Sequence, residues 1–289
     1  MLNKVKALLA AHGITEVAPI SLADVTRTRA YLLEKHGVES GTVFMLAVPY
    51  YTTFCDDPAR NISAYAVSPD YHRFFEALFG DVLPILRETY KENTFLGFAD
   101  HSPIAEAEAA VKAGLGAFGK NHLFLSKKHG SYVFLGEIIT DAVLEAPPVP
   151  ITLCADCGAC LSACPAGLAV GECLSALSQK KGALTENEQA VILANGCAWG
   201  CDRCQEVCPV NKRAKAQGTL YTDIPFFKAR AIPHLTADAV RTMSEEDFTA
   251  RAYSWRGRAV ILRNLDLLEA KHRQENGDFA KKPKREEQV

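Results

Sequence analysis

No apolar run in these 289 residues is long enough to cross a bilayer. The first residues, MLNKVKALLAAHG, form an amphipathic pattern without the apolar core and small-residue cleavage site of a signal peptide. The expected location is therefore the cytoplasm, with no membrane partner. An excess of charge of one sign is also missing. Lys and Arg number 32 against 34 Asp and Glu, so no chain-wide basic field argues for nucleic acid, although a local patch stays open. A dinucleotide fingerprint is absent too, because Gly114, Gly116 and Gly119 follow a predicted helix and not a strand. Cysteine is almost missing outside one stretch: only Cys55 lies before Cys154, and none follows Cys208. A disulfide scaffold spreads its cysteines along a short secreted domain, whereas crowding within a longer chain favours metal.

A composition of 48% hydrophobic and 23% charged residues supplies enough apolar side chain for a globular core. The spacing of apolar residues predicts helices over 2–12 and 22–36, each followed by a glycine suited to a C-cap, Gly13 and Gly37. The continuous apolar run VFMLAVP, residues 43–49, predicts a buried strand. A long helix is expected over 70–91, broken or kinked at Pro84. Strands are expected over 94–99 and 131–140, with a helix over 104–113 between them. The proline-rich APPVPIT at 146–152 marks a boundary. Beyond Cys208 the chain turns helical again, over 236–243, 244–252 and 256–271, and its charged end from Asn276 is expected to fray.

The run Cys154-x2-Cys157-x2-Cys160-x3-Cys164-Pro165 has the spacing of a [4Fe–4S] ligand loop, in which the fourth cysteine serves the other cluster of a two-cluster module. A structural zinc site needs only four ligands. The second run, Cys201-x2-Cys204-x3-Cys208-Pro209, lacks its first cysteine, because Ala198 stands there. Cys208 should cross over to Cys154, Cys157 and Cys160. Cys164 should join Cys201 and Cys204, with Cys173 or Cys197 as the missing ligand; spacing alone leaves that pair open. Cys55 is read as a small buried hydrophobe. The expected class is α+β: an N-terminal α/β cofactor-binding domain over 1–148, a bacterial ferredoxin-like domain with two [4Fe–4S] clusters over 149–215, and a C-terminal helical segment with a disordered tail over 216–289.

The sequence resembles the epoxyqueuosine reductase family, cobalamin- and iron–sulfur-dependent enzymes that complete queuosine synthesis in tRNA. CADCGACLSACPAG and GCDRCQEVCPVN carry the resemblance. So do ISAYAVSPDYH, ADHSPIAE, AGLGAFGKNHLFL, GSYVFLGEI and SEEDFTARAYSWRGRAVILRN. The likeness spans most of residues 40–265. It implies Cys173, within ECLSAL, as the eighth cluster ligand, leaving Cys197 spare. It also implies a helical-repeat domain after Asn264, which this sequence is too short to hold, so a short form without that domain is expected.

The resemblance implies cobalamin beside the clusters, and Asp100 as the acid that protonates the leaving oxygen. For that role Asp100 should be desolvated in the cofactor pocket; read from the sequence alone, it caps the following helix. Asp70 and His72 begin an Asp-x-His pattern in which histidine binds cobalt, but Phe75 stands where that motif needs glycine, so His72 is not read as a cobalt ligand. Asp70, Tyr71, His72, Tyr65, Lys120, Asn121 and Glu137 are the cofactor-pocket candidates, and the glycines of 114–119 would let a broad ring approach. Lys212, Arg213, Lys215, Arg251, Arg256, Arg258 and Arg263 form a candidate strip for a tRNA anticodon stem-loop. An external low-potential electron donor and a monomeric state are expected. The alternatives are a reductive dehalogenase-like or other corrinoid reductase of a small molecule, or an electron-transfer or corrinoid-reactivating protein.

Overall fold

The structure is a computed structural model that describes residues 1–168 and 173–279. Its centre is a four-stranded sheet in the order β1-β2-β6-β3, with β1 at Glu16–Ser21, β2 at Thr42–Pro49, β3 at Phe95–Phe98 and β6 at Val133–Thr140. Every register is antiparallel. A separate hairpin joins β4, Gly116–Phe118, to β5, Phe124–Ser126.

All eight residues of β2 are buried, because helices cover both faces of the sheet. Successive side chains point to opposite faces. Phe44, Leu46 and Val48 enter one core with Leu9, Phe75 and the C-terminal Phe227. Val43, Met45 and Ala47 enter a second core with Leu33, Ile104 and Ala110. Burying each large apolar side chain contributes about 1.5–3 kcal/mol, so the continuous apolar run is explained by two cores fed from one strand. Edge strand β1 escaped sequence reading because it contains Pro19, which an edge tolerates.

The Tyr71–Thr89 helix begins where Asp70 accepts a hydrogen bond from His72 N, and it runs through Pro84 without a break. The helix expected over 22–36 is confined to Tyr31–Glu34. Residues 22–30 instead reach across to the 102–105 loop. Thr28 N and Arg29 N donate to the Pro103 carbonyl, and Ala105 N donates to that of Thr26. The β-branched Val25, Thr26 and Thr28 are weak helix formers, and those long-range bonds outcompete them.

In the C-terminal part, Thr236 and Ser244 cap Ala237–Thr242 and Glu245–Thr249. The last helix, Arg258–Phe279, runs through the first residues of the end expected to fray, and residues 280–289 lie outside the described part. Among the described residues, no helix is long and apolar enough to cross a membrane.

Candidate functional site

Eight of the ten cysteines line two cavities, four to each. Cys154 and Cys157 lie on the loop leading into the short Ala159–Ala163 helix and Cys160 in its first turn, and the three line one cavity with Cys208. Gly158 sits at φ +73 and turns that loop back on itself. Cys208 stands at the N-terminus of the Pro209–Ala216 helix; a proline at the first helical position costs no hydrogen bond. Cys164, Cys173, Cys201 and Cys204 line a second cavity of about 500 Å³. Cys208 thus lines the cavity of the first run, and Cys164 that of the second.

Cys197 does not line that second cavity. Its thiol donates to the Trp199 carbonyl at 3.2 Å, and burial pushes it up to about 12. Cys55 is also buried, with its sulfur 3.8 Å from Thr52 Oγ1.

Asp202 fixes the second cysteine run to the N-terminal part. Its carboxylate accepts from Arg60 Nη1 at 2.7 Å, Ala64 N at 2.7 Å, Ser63 Oγ at 2.5 Å and Gln205 Nε2 at 3.0 Å. Gly200, just before Cys201, has φ +75, and a Cβ there would stand 2.4 Å from Ser63 Cβ. Only glycine permits this approach.

The second cavity is also lined by Tyr50, Tyr65, Asn121, His122 and Phe134. Tyr65 accepts a 2.6 Å hydrogen bond from Trp199 Nε1, which fixes its ring, and burial raises its hydroxyl above the ordinary range. Among the described residues, buried Asn121 Nδ2 has no hydrogen-bond partner, and its amide lies beside Cys204. A free donor there suits a sulfur-rich group held by the second set. Phe134 is sandwiched by two tyrosines, Tyr50 at 4.3 Å and Tyr71 at 4.2 Å between ring centroids. The Tyr71 ring in turn lies against His72 at 4.2 Å. This aromatic series leads from the cavity wall to the Asp70–His72–Asp100 group.

His72 Nδ1 is 2.7 Å from Asp70 Oδ1, and its Nε2 is 3.4 Å from Asp100 Oδ2. The hydrogen bond to Asp70 raises the imidazole above its ordinary value, against the opposing effect of burial. Burial pushes the Asp70 carboxyl up, but the two hydrogen bonds from His72 outweigh it and hold the carboxyl below its usual value.

Several placements differ from the sequence reading. Asp100 neither caps a helix nor is desolvated. Its side chain is 68% exposed, its backbone has φ +63, and the Glu106–Lys112 helix starts six residues later, N-capped by Ala105. Glu137 is fully buried on the sheet face of the second core, away from the cavity, because its neighbours across the sheet are Met45 and Phe98. Lys120 pairs with Asp156 at 2.7 Å and lines the first cavity, not the second. Of the cofactor-pocket candidates, only Tyr65 and Asn121 line the second cavity. The glycines of 114–119 face protein: a Cβ on Gly114 would meet the Val149 carbonyl at 2.7 Å, and one on Gly116 the Leu125 carbonyl at 2.1 Å.

The basic strip is largely consumed by the fold. Arg251 is buried and donates to the Arg230 and Val67 carbonyls. Arg258 bonds Glu245 and the Val240 carbonyl, Arg263 holds the Lys180 and Gly182 carbonyls, and Lys215 pairs with Asp56. Arg256 stacks over the exposed ring of Trp255 at 3.7 Å.

Sequence reading missed Tyr50, Phe134 and His122. His122 adopts φ +62 in a turn closed by its N–H to the Gly119 carbonyl. The signal was the Lys-Asn-His after Gly119, since asparagine and histidine tolerate such turns. Tyr50 and Phe134 carried no local signal, because they meet only when β2 pairs with β6.

Residues 153–211 match the 4Fe-4S double cluster binding domain family. A curated epoxyqueuosine reductase of Synechocystis sp. is 33% identical over 77% of this chain and 81% of its own length. The chain belongs to the epoxyqueuosine reductase family. The Pseudomonas aeruginosa member is 36% identical over 73% of this chain, and the Listeria monocytogenes member 31% identical over 71%. The chain covers only 58% and 55% of those two family members, little more than half their length. The fold is shared with epoxyqueuosine reductase from Streptococcus thermophilus, at TM-score 0.75 and 22% identity over 96% of this chain and 83% of that one. It is shared as well with an epoxyqueuosine reductase solved with an epoxyqueuosine-modified tRNA-Tyr stem loop, at TM-score 0.73 and 24% identity, covering 93% of this chain and 80% of that one. A Bacillus subtilis epoxyqueuosine reductase solved with its aspartate-bearing catalytic loop swung out of the active site gives TM-score 0.70 and 23% identity, covering 93% and 82%.

Proposed function

We propose that this chain reduces epoxyqueuosine to queuosine in tRNA, in the cytoplasm, using two [4Fe–4S] clusters, cobalamin and an external low-potential electron donor. Family membership gives the reading its direction. The observation that carries it in this chain is the second cavity, which Cys164, Cys173, Cys201 and Cys204 line together with aromatic side chains. In this reading Cys154, Cys157, Cys160 and Cys208 hold one cluster, and those four hold the other.

The apolar, aromatic lining of the cavity suits the face of a corrin ring, with Asn121 Nδ2 at the edge nearest the cysteines. Tyr65, Asn121, His122 and Phe134 would line that group. Cobalamin, when bound, supplies a reduced metal centre able to attack carbon. The overall change balances as epoxide plus two electrons and two protons giving alkene and water.

The chain's own residues supply electron entry, exclusion of water and one proton. Clusters pass electrons singly, at potentials tuned by burial and by hydrogen bonds to sulfur, and Asn121 is placed for the latter. Asp100 is the proton donor to the leaving oxygen, its exposed carboxyl carried on a backbone anchored by Glu106. His72, bonded to Asp70 and facing Asp100, resupplies the proton. The tRNA would approach from the open mouth of the cavity.

The deciding experiment is anaerobic turnover. Protein reconstituted with iron, sulfide and cobalamin is given an epoxyqueuosine-containing tRNA stem-loop and a low-potential reductant, and the nucleoside products are read by mass spectrometry. Queuosine is the expected product. Reconstituted protein that binds corrinoid but leaves the epoxide intact would exclude this substrate.

A further inference from the structure

Behind the Asp100 loop lie two carboxyl groups that no step above uses. Glu137, on β6, is fully buried, and its Oε1 accepts from Ser102 Oγ. Its other oxygen, Oε2, has no donor among the described residues. What stands next to it is the carboxyl of Glu106, on the first turn of the Glu106–Lys112 helix, within hydrogen-bond reach. Two acceptors cannot satisfy each other, and a fully buried carboxylate beside a half-buried one is repelled by it, so the contact needs a proton between them.

The far side of Glu106 touches the loop. Its Oε1 accepts from the Asp100 N–H at 3.0 Å, just where the backbone takes its φ of +63. A non-glycine residue in that region is held there by its surroundings. Ser102, bonded to Glu137, also accepts from Ile104 N at 3.0 Å, and its carbonyl receives Thr28 Oγ1 and Arg29 Nη1, each at 3.2 Å. The carboxyl pair and the 26–29 segment therefore hold the loop from two sides.

We infer that Glu106 and Glu137 are positioning residues for Asp100: they share one buried proton, and through Glu106 that proton holds the Asp100 backbone in place. The inference rests on the reading of Asp100 as proton donor, but the latch itself is a structural claim. The charged and titratable groups facing the pair are Arg29, Asp100 and Tyr71, with His72 reached through Asp100. Glu108 and Lys112, on the same helix, are turned to each other and to Thr26. Burial and the neighbouring Glu106 both push the Glu137 carboxyl well above its ordinary value, which agrees with a proton retained at neutral pH.

The test pairs a spectroscopic readout with amide exchange and turnover. Infrared difference spectra of wild type and Glu137→Gln should show a protonated-carboxyl band at neutral pH that the substitution removes. Glu106→Ala should speed exchange of the Asp100 amide roughly ten- to a hundredfold, the worth of a charge-assisted hydrogen bond, whereas Glu106→Gln keeps an acceptor and restores protection. Protection in wild type should fall as alkaline pH removes the shared proton. In Glu137→Gln, where the amide permanently donates to Glu106, it should not. The alkaline limb of the kcat profile should follow the same pattern, with KM unchanged. Absence of the acid band, or equal exchange in the Ala and Gln variants of Glu106, would overturn the latch. Full turnover by Asp100→Asn with the band and the exchange pattern intact would instead remove only the role of Asp100.

Discussion

Arg60 Nη1 stands 2.7 Å from Asp202 Oδ2, and Asp202 lies between Cys201 and Cys204. This ion pair, with side chains 13% and 2% exposed, ties the second cysteine run to the loop that follows β2. Removing one charge from a buried pair leaves the other uncompensated, at a cost of about 3–5 kcal/mol. Asp202→Asn should therefore lower stability by roughly that amount and release the second cluster first. Denaturant titration with iron analysis checks this; unchanged stability and iron would mean that the bond contributes nothing net.

The eighth ligand can be read from iron alone. Cys173→Ser should reduce anaerobically reconstituted protein from about eight irons to about four per chain, since each cubane holds four. Cys197→Ser should leave the count unchanged, because that thiol is turned to the Trp199 carbonyl. The reverse outcome would move the ligand to Cys197.

Asp100→Asn keeps the side chain's size and removes its proton. Turnover should fall by roughly 10²- to 10⁴-fold, the usual share of general acid catalysis, while both clusters and bound corrinoid persist. Single-turnover kinetics at saturating substrate make the comparison.

The Asp70–His72 pair gives a signed pH dependence. The imidazole is raised above its unfolded value of 6.5, so its stabilisation is complete below that pH and disappears as pH rises through the raised folded value. The Asp70 carboxyl is held below 3.8, so its share is present above that pH and is lost as pH falls through the lowered value. The stability difference between wild type and His72→Gln should therefore be largest between the two and vanish at alkaline pH. Salt should reduce it, because the imidazole is half exposed.

Gly136 on β6 lies against Phe75, and a Cβ there would come within 2.4 Å of the ring. Gly136→Ala should cost about 1–3 kcal/mol by overpacking. A double variant with Phe75→Leu should recover part of it, as measured by a double-mutant cycle.

How much could be read in advance followed the range of each interaction. Cysteine spacing, the Asp70, Thr236 and Ser244 helix starts and the doubly buried β2 are encoded within a few residues, so linear order was enough. The helix expected over 22–36 failed in its 22–30 part because the competing bonds come from the 102–105 loop, more than seventy residues away in the chain.

The sequence by itself determined that this protein carries paired thiolate sets and a sheet strand that feeds two cores. Only the tertiary structure decided that Cys173, unlike Cys197, lines a cavity with Cys164, that Arg251 is a buried strut, and that Glu137 meets Glu106 behind the Asp100 loop. Those outcomes depend on which distant surfaces exclude water from a side chain. Burial of that kind is a property of packing, and no local pattern of residues specifies it.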